Sequence, residues 1–252
     1  MNIGFLGSGH ITSSIIEGIF KSKLKIKKIY ISPRNKLISN KISKRFKKVT
    51  VAINNQQVID RSNWVFLAVT PQVGSKILDK LKFSKNKKII SLISTINLEK
   101  LKKYTKHKNI TRVIPLPFIG MRKGPIIICP KNNQLKNFFK HLGKVIELKN
   151  EKTSKAFWST SSFMASFYFL LNQTSNWLTS KGIKRKDAED YTRELFLALS
   201  EDAINKNKNS LKQLVLESQT PGGTNAYVLN QLKKKKFYKV QQTVLNSIFK
   251  KF

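Results

Sequence analysis

The sequence predicts an α/β domain followed by an all-helical one, and three observations predict it. Up to about residue 150, short apolar runs alternate with polar or amphipathic stretches. The first of these runs ends in Gly7-Ser8-Gly9. From Glu151 onward the pattern changes to long helical periodicity. We therefore divide the chain at 1–150 and 151–252.

The first element is a strand, Ile3 to Leu6, that runs into the glycine turn and then into a helix-like segment from His10 to Phe20. A buried strand ending in glycines lets the backbone approach a pyrophosphate with no side chain in the way, and the next helix offers unpaired N–H groups to the phosphates. Gly7 suits the tight turn and Gly9 the close approach, while Thr12 stands where the fingerprint has a third small residue. Ser8, His10 and Ile11 complete the expected contact set at the helix entry. The alternative is an ordinary strand-to-helix loop, but the position after a strand and before a helix favours a Rossmann-type dinucleotide grip.

The second strand, Lys28 to Ser32, indicates which dinucleotide. An NAD site would place an acid at its end to hold the ribose 2′-OH. After Glu17 the next acid is Asp60, and the strand instead ends in Ser32-Pro33-Arg34-Asn35. A hydroxyl, a guanidinium and an amide suit a 2′-phosphate, so NADP is preferred over NAD, unless Arg34 is one more surface cation.

Further strands are expected at Val49–Ala52, Trp64–Val69, Lys88–Ile93, Thr111–Ile114, Pro125–Cys129 and Gly143–Leu148. The run Phe66-Leu67-Ala68-Val69-Thr70-Pro71 and the end of the next strand, near Ser94, face the cofactor crevice if the sheet is open and doubly wound. In the second half, Ala156 to Leu178 reads as one helix, apolar over much of its circumference, which implies burial on several sides in a core or a dimer interface. Gly182 marks a helix stop, and helices follow at Asp187–Ile204 and Leu211–Leu216. Thr220-Pro221-Gly222-Gly223-Thr224-Asn225 then offers hydroxyls, an amide and bare backbone N–H groups that could hold a carboxylate, though a plain interhelical turn uses the same residues.

Composition bounds the partners. The formal charge of +36 would attract polyanions, but it is spread along the whole chain, is mostly lysine and lacks an arginine-rich, aromatic-interleaved platform, so no specific nucleic-acid partner is expected. With Cys129 as the single cysteine and His10, His107 and His141 in separate elements, neither a disulfide framework nor a metal site is expected. No apolar segment approaches the length of a bilayer span and the chain opens on a strand, which points to a soluble, cytoplasmic setting with no membrane partner.

In that order and spacing, Gly4-Phe5-Leu6-Gly7-Ser8-Gly9, Leu67-Ala68-Val69-Thr70-Pro71-Gln72, Arg112-Val113-Ile114-Pro115 and Thr220-Pro221-Gly222-Gly223-Thr224 resemble the pyrroline-5-carboxylate reductase family over nearly the whole chain. The resemblance implies a Rossmann domain, a helical domain that forms a homodimer or higher homo-oligomer, and NAD(P)H-dependent reduction of a small cyclic imine to proline. It carries the phosphate loop onto Gly7, Ser8 and Gly9, and the 2′-phosphate region onto Ser32 and Arg34, beside which Asn35 is also expected to touch the cofactor. It also carries a cofactor-contacting asparagine onto Asn55 and strand-end contacts onto Ala68, Val69, Thr70 and Pro71. Substrate binding falls on Gly222, Gly223 and Thr224, with Thr220 and Asn225 as the catalytic pair. The chain departs from the family at Thr70, where lysine is usual, at Asn225, where threonine or serine is usual, and around Ser162–Tyr168, where two glycines and a proline are gone. Such remodelling leaves open another imine or a 2-oxo acid as substrate, or an NADP-binding protein without turnover.

Overall fold

The computed structural model describes residues 1–93 and 95–251, and the chain parts into two compact units, Met1–Trp158 and Ser159–Phe252. Each is described by itself.

The first unit is built on β1 (Asn2–Leu6), β2 (Lys28–Ile31), β3 (Val49–Val51), β4 (Trp64–Leu67), β5 (Lys88–Ser91), β6 (Ile110–Ile114), β7 (Pro125–Cys129) and β8 (Lys144–Glu147). These form one sheet in the order β3-β2-β1-β4-β5-β6-β7-β8. All neighbours run parallel except β6 and β7, where Val113 pairs with Ile128 in antiparallel register. Each expected strand is present, and the sequence pattern alone did not indicate the reversal at β7.

Helices cover both faces. On one face Ile3 and Phe5 of β1 and Phe66 of β4 pack with Ile15, Ile16 and Ile19 of α1 (His10–Lys21), Ile42 of α2 (Lys36–Arg45) and Phe138 and Phe139 of α6 (Asn133–Phe139). On the other, Leu6, Val65 and Leu67 pack with Val58 and Ile59 of α3 (Asn55–Asp60), with Leu78 just beyond α4 (Pro71–Ile77), and with Leu98 and Leu101 of α5 (Leu98–Thr105). Alternate residues of each strand thus feed opposite cores, as a sheet buried on both sides requires. The connection changes side between β1 and β4, and in such a sheet a crevice opens at the carboxyl ends of those two strands.

The second unit is helical. After α7 (Ser154–Ser161) the chain forms α8 (Met164–Ser180), α9 (Arg185–Asn205), α10 (Leu211–Glu217), α11 (Thr224–Lys234) and α12 (Phe237–Phe249). Gly182 ends the turn after α8 with φ +90, and Ile183 N–H reaches back to the Leu178 carbonyl at 3.3 Å, a glycine stop as the sequence predicts. Among the described residues no helix is long and apolar enough to cross a membrane.

One expectation for 156–178 is corrected. The segment is broken at Ser162-Phe163, because Ser162 and Phe163 N–H groups bond three residues back, to Ser159 and Thr160, and the Ser162 hydroxyl adds a 2.6 Å bond to the Ser159 carbonyl. A serine- and threonine-rich run offers the backbone this competing turn. Within this one chain α8 packs on α9 and leaves Tyr168, Phe169 and Trp177 56%, 61% and 60% exposed, so of the two covers expected for its apolar circumference the chain's own core is not the one.

Candidate functional site

The glycine turn is shaped by one close contact. Gly7 has φ +118, and a Cβ there would lie 2.3 Å from the Ala68 carbonyl oxygen, so only glycine lets β1 turn beside the end of β4. Thr12, fully buried on α1, donates its hydroxyl to the Gly7 carbonyl at 3.0 Å and ties turn to helix. Gly9 is the N-cap of α1, with no side-chain cap and no acid in the first turn, and a Cβ at Gly9 would project into open space. The orphan N–H groups and positive dipole end of a twelve-residue helix therefore have neither a side-chain cap nor an acid beside them, an arrangement able to take an anion. Ser8 is buried, Ile11 packs on the core, and His10 is exposed at the first helical position.

The Ser32 hydroxyl accepts the Gly7 N–H at 3.0 Å and lies 2.7 Å from Asn55 Oδ1, to which it donates. It is a strut between the phosphate turn, the end of β2 and the start of α3. Asn35 Oδ1 accepts the Ile38 N–H at 3.1 Å and caps α2. On the far wall Thr70 is the N-cap of α4 with Pro71 behind it, and its carbonyl accepts the Val73 and Gly74 N–H groups.

A cleft of about 170 Å³ lies here, and Gly7, Ser32, Arg34, Asn55 and Val69 all line it. The structure thus brings together residues from four separate stretches that the sequence assigned to one cofactor. Three liners were missed, Val73, Lys76 and Ile77. Their signal was the helical spacing of Val69, Val73 and Ile77, four residues apart on the segment entering and forming α4. Ser94, also expected at the cofactor, lies outside the described residues.

Arg112, quoted only as part of a motif, holds the loop behind this wall. It is 1% exposed, donates to the Ile93 and Ile96 carbonyls and pairs with Glu151 through Nε at 2.9 Å and Nη2 at 2.6 Å. Glu151 in turn accepts the Leu98 N–H at 2.9 Å. The Ile93 and Ile96 side chains lie against Gly74 of α4, where a Cβ would meet them at 3.1 and 3.5 Å.

In the second unit the predicted loop is a tight turn. Gly222 has φ +73, Gly223 N–H donates to the Thr220 carbonyl at 2.9 Å, and Gly223 caps α11, whose first residues are Thr224 and Asn225. Asn225 Nδ2 donates to the Ser218 carbonyl at 3.1 Å, stapling the turn to the end of α10 and leaving its Oδ1 for other use. A Cβ on Gly223 would lie 2.2 Å from Thr220 Oγ1, so the hydroxyl folds over the glycine. Among the described residues no cluster of side chains could hold a metal ion.

Residues 2–97 match the family model described as NADP oxidoreductase coenzyme F420-dependent, and residues 151–252 match that for pyrroline-5-carboxylate reductase dimerisation. A pyrroline-5-carboxylate reductase of Pisum sativum is 22% identical over 98% of this chain and 92% of its own length. The fold is that of the Streptococcus pyogenes 1-pyrroline-5-carboxylate reductase, with TM-score 0.85 at 20% identity over 100% of this chain and 97% of that one. It is equally that of the Plasmodium falciparum pyrroline carboxylate reductase solved with NADP bound, with TM-score 0.84 at 20% identity over 100% and 96%. With the Rossmann-type sheet, its glycine turn and the helical second half in place, the chain belongs to the pyrroline-5-carboxylate reductase family.

Proposed function

We propose that this chain is an NADPH-dependent reductase of a small cyclic imino acid, with pyrroline-5-carboxylate reduced to proline as the first reaction to test. The observation that carries the proposal is the open Gly9 turn beside a ribose end that presents Arg34 and no carboxylate. The names of the relatives support the substrate. Residues 1–150 hold the cofactor, and 151–252 serve the substrate and the homo-oligomer, whose assembly the matched dimerisation model supports. We set the enzyme in the cytoplasm.

Bound NADPH supplies a hydride to the electrophilic C=N carbon. The chain's own residues bind, orient and shield. The α1 N-terminus receives the pyrophosphate between Gly7 and Gly9, and the Ser32–Asn55 strut fixes that turn against β2. A cyclic imine that is already protonated in water has an activated carbon, so the chain needs no acid–base dyad. The substrate carboxylate needs donors, and Gly223 N–H is already used within its turn. The Thr224 and Asn225 N–H groups in the first turn of α11 serve instead, with Gly222 and Gly223 keeping side chains out of the way and the Thr220 hydroxyl and Asn225 Oδ1 orienting the ring nitrogen.

The test is NADPH consumption and proline formation on mixing the purified chain with pyrroline-5-carboxylate, alongside a Gly9→Val variant. A Cβ at Gly9 meets nothing in the protein, so the variant is expected to fold normally and lose NADPH binding. Unchanged affinity by titration would sink the cofactor assignment, while tight NADPH binding without turnover would redirect the search to other imines and 2-oxo acids.

A further inference from the structure

The cofactor cleft carries a second cation that sequence reasoning did not single out. Lys76 lines it from α4, as Arg34 does from the segment after β2, and both residues are exposed. No carboxylate lines the cleft, and among the described residues neither cation belongs to an ion pair. Glu17, the one acid of α1, is held by Lys21 and Arg45, and the Lys21 hydrogen bond foremost keeps its carboxyl below the usual range.

Among the side chains near the ribose end, the Ser32 hydroxyl gives its proton to Asn55, and the Asn35 amide is neutral, with its oxygen on the α2 cap. Neutral amides can donate to a phosphate but cannot balance its charge, so the charge of a phosphate on the adenosine ribose falls to Arg34 and Lys76. The neighbours of Lys76 on α4, Val73 and Ile77, are apolar and partly buried, so Lys76 is the only cation that α4 brings to the cleft. An apolar stripe with one ammonium at its edge suits an aromatic base beside an anionic group.

We propose that Lys76 is a specificity-determining residue, which together with Arg34 recognises the 2′-phosphate of the dinucleotide and sets the preference for NADPH over NADH. This rests on the NADP assignment above and adds to it the residue that enforces it. Arg34 offers a planar fork of donors and Lys76 a point charge on a flexible stem, so the two close on a phosphate from β2 and from α4.

The experiment is calorimetric titration of the full chain with 2′,5′-ADP and with 5′-AMP, which isolates the 2′-phosphate and needs no turnover. Lys76→Met is expected to weaken 2′,5′-ADP about tenfold, one charge-assisted contact, and to leave 5′-AMP within about twofold. With Arg34→Met added, the preference should vanish. Lys80→Met, an exposed lysine outside the cleft, is the control for the general field of a +36 chain and should change neither affinity. The proposal is overturned if Lys76→Met leaves the 2′,5′-ADP to 5′-AMP ratio unchanged, or if Lys80→Met shifts it equally. Failure of the native chain to bind either nucleotide would overturn the NADP assignment itself and this proposal with it.

Discussion

The two units differ in where they put their apolar residues. In Met1–Trp158, side chains such as Ile3, Phe5, Phe66, Val113 and Phe139 are fully buried in two cores that flank one sheet. In the second unit Ala188 is the only buried apolar residue among those described, whereas Phe169, Trp177, Tyr191, Leu199, Tyr227 and Val240 lie 58% exposed or more among a larger exposed apolar set. Burial of apolar area is the main favourable term in folding, so the first unit holds its own stability and the second must find much of its burial elsewhere. A helical layer with this exposure is chemically an interface.

The largest effect should come from breaking the first unit's self-sufficiency at its buried charge. Arg112 is sealed from solvent and Glu151 answers both it and the Leu98 N–H, so Glu151→Ala leaves a buried guanidinium with carbonyl partners but no counter-charge and removes the acceptor of the Leu98 N–H. We expect a loss of about 3–5 kcal/mol in denaturant unfolding of this unit, as for other buried pairs cut on one side. A loss below about 1 kcal/mol would show that solvent replaces the carboxylate easily and that this unit's stability owes little to the pair.

A smaller effect, confined to the second unit, is expected from Phe169→Asp combined with Trp177→Asp on α8. Both side chains are already more than half exposed within the chain, so the substitutions remove little internal packing. Self-association measured by sedimentation should weaken by about thirtyfold or more, the mark of a hot spot, with the unfolding midpoint of the first unit unmoved. Unchanged association would place the assembly surface elsewhere on the helical unit.

Most of the first unit was legible in the sequence because strand burial and glycine geometry are local. Gly7 needs a positive φ and Gly9 an empty flank, and both requirements show in the residue type itself. The roles of Arg112 and Lys76 were not legible, since each depends on partners distant in sequence: Arg112 on Ile93, Ile96 and Glu151, Lys76 on a cleft that Arg34 also lines. The break at Ser162 was hidden for a different reason. Apolar periodicity ran straight through it, and the competing serine hydroxyl bond is a backbone event that periodicity does not record. Periodicity is equally silent about α8, because an apolar circumference predicts burial without saying whether the cover belongs to the same chain.

The last and smallest effect concerns Cys129 at the end of β7, which probes how dry the first unit is. Burial first, and then the negative charge of Glu151, push its thiol up from 9.0 to about 11, with Arg112 opposing. The native thiol should therefore resist a thiolate-selective reagent at pH 8.5, while the same chain in denaturant reacts readily. The linkage sign follows: between pH 9.0 and about 11 the unfolded thiol ionises and the folded one does not, so rising pH in that window erodes stability. Replacing Glu151 with Gln removes one of the two upward pushes and should make the native thiol faster to label at the same pH. Equal labelling rates in native and unfolded chain would mean that the β7 end admits water, and the contrast between a dry first unit and an outward-facing second one would fail at that edge.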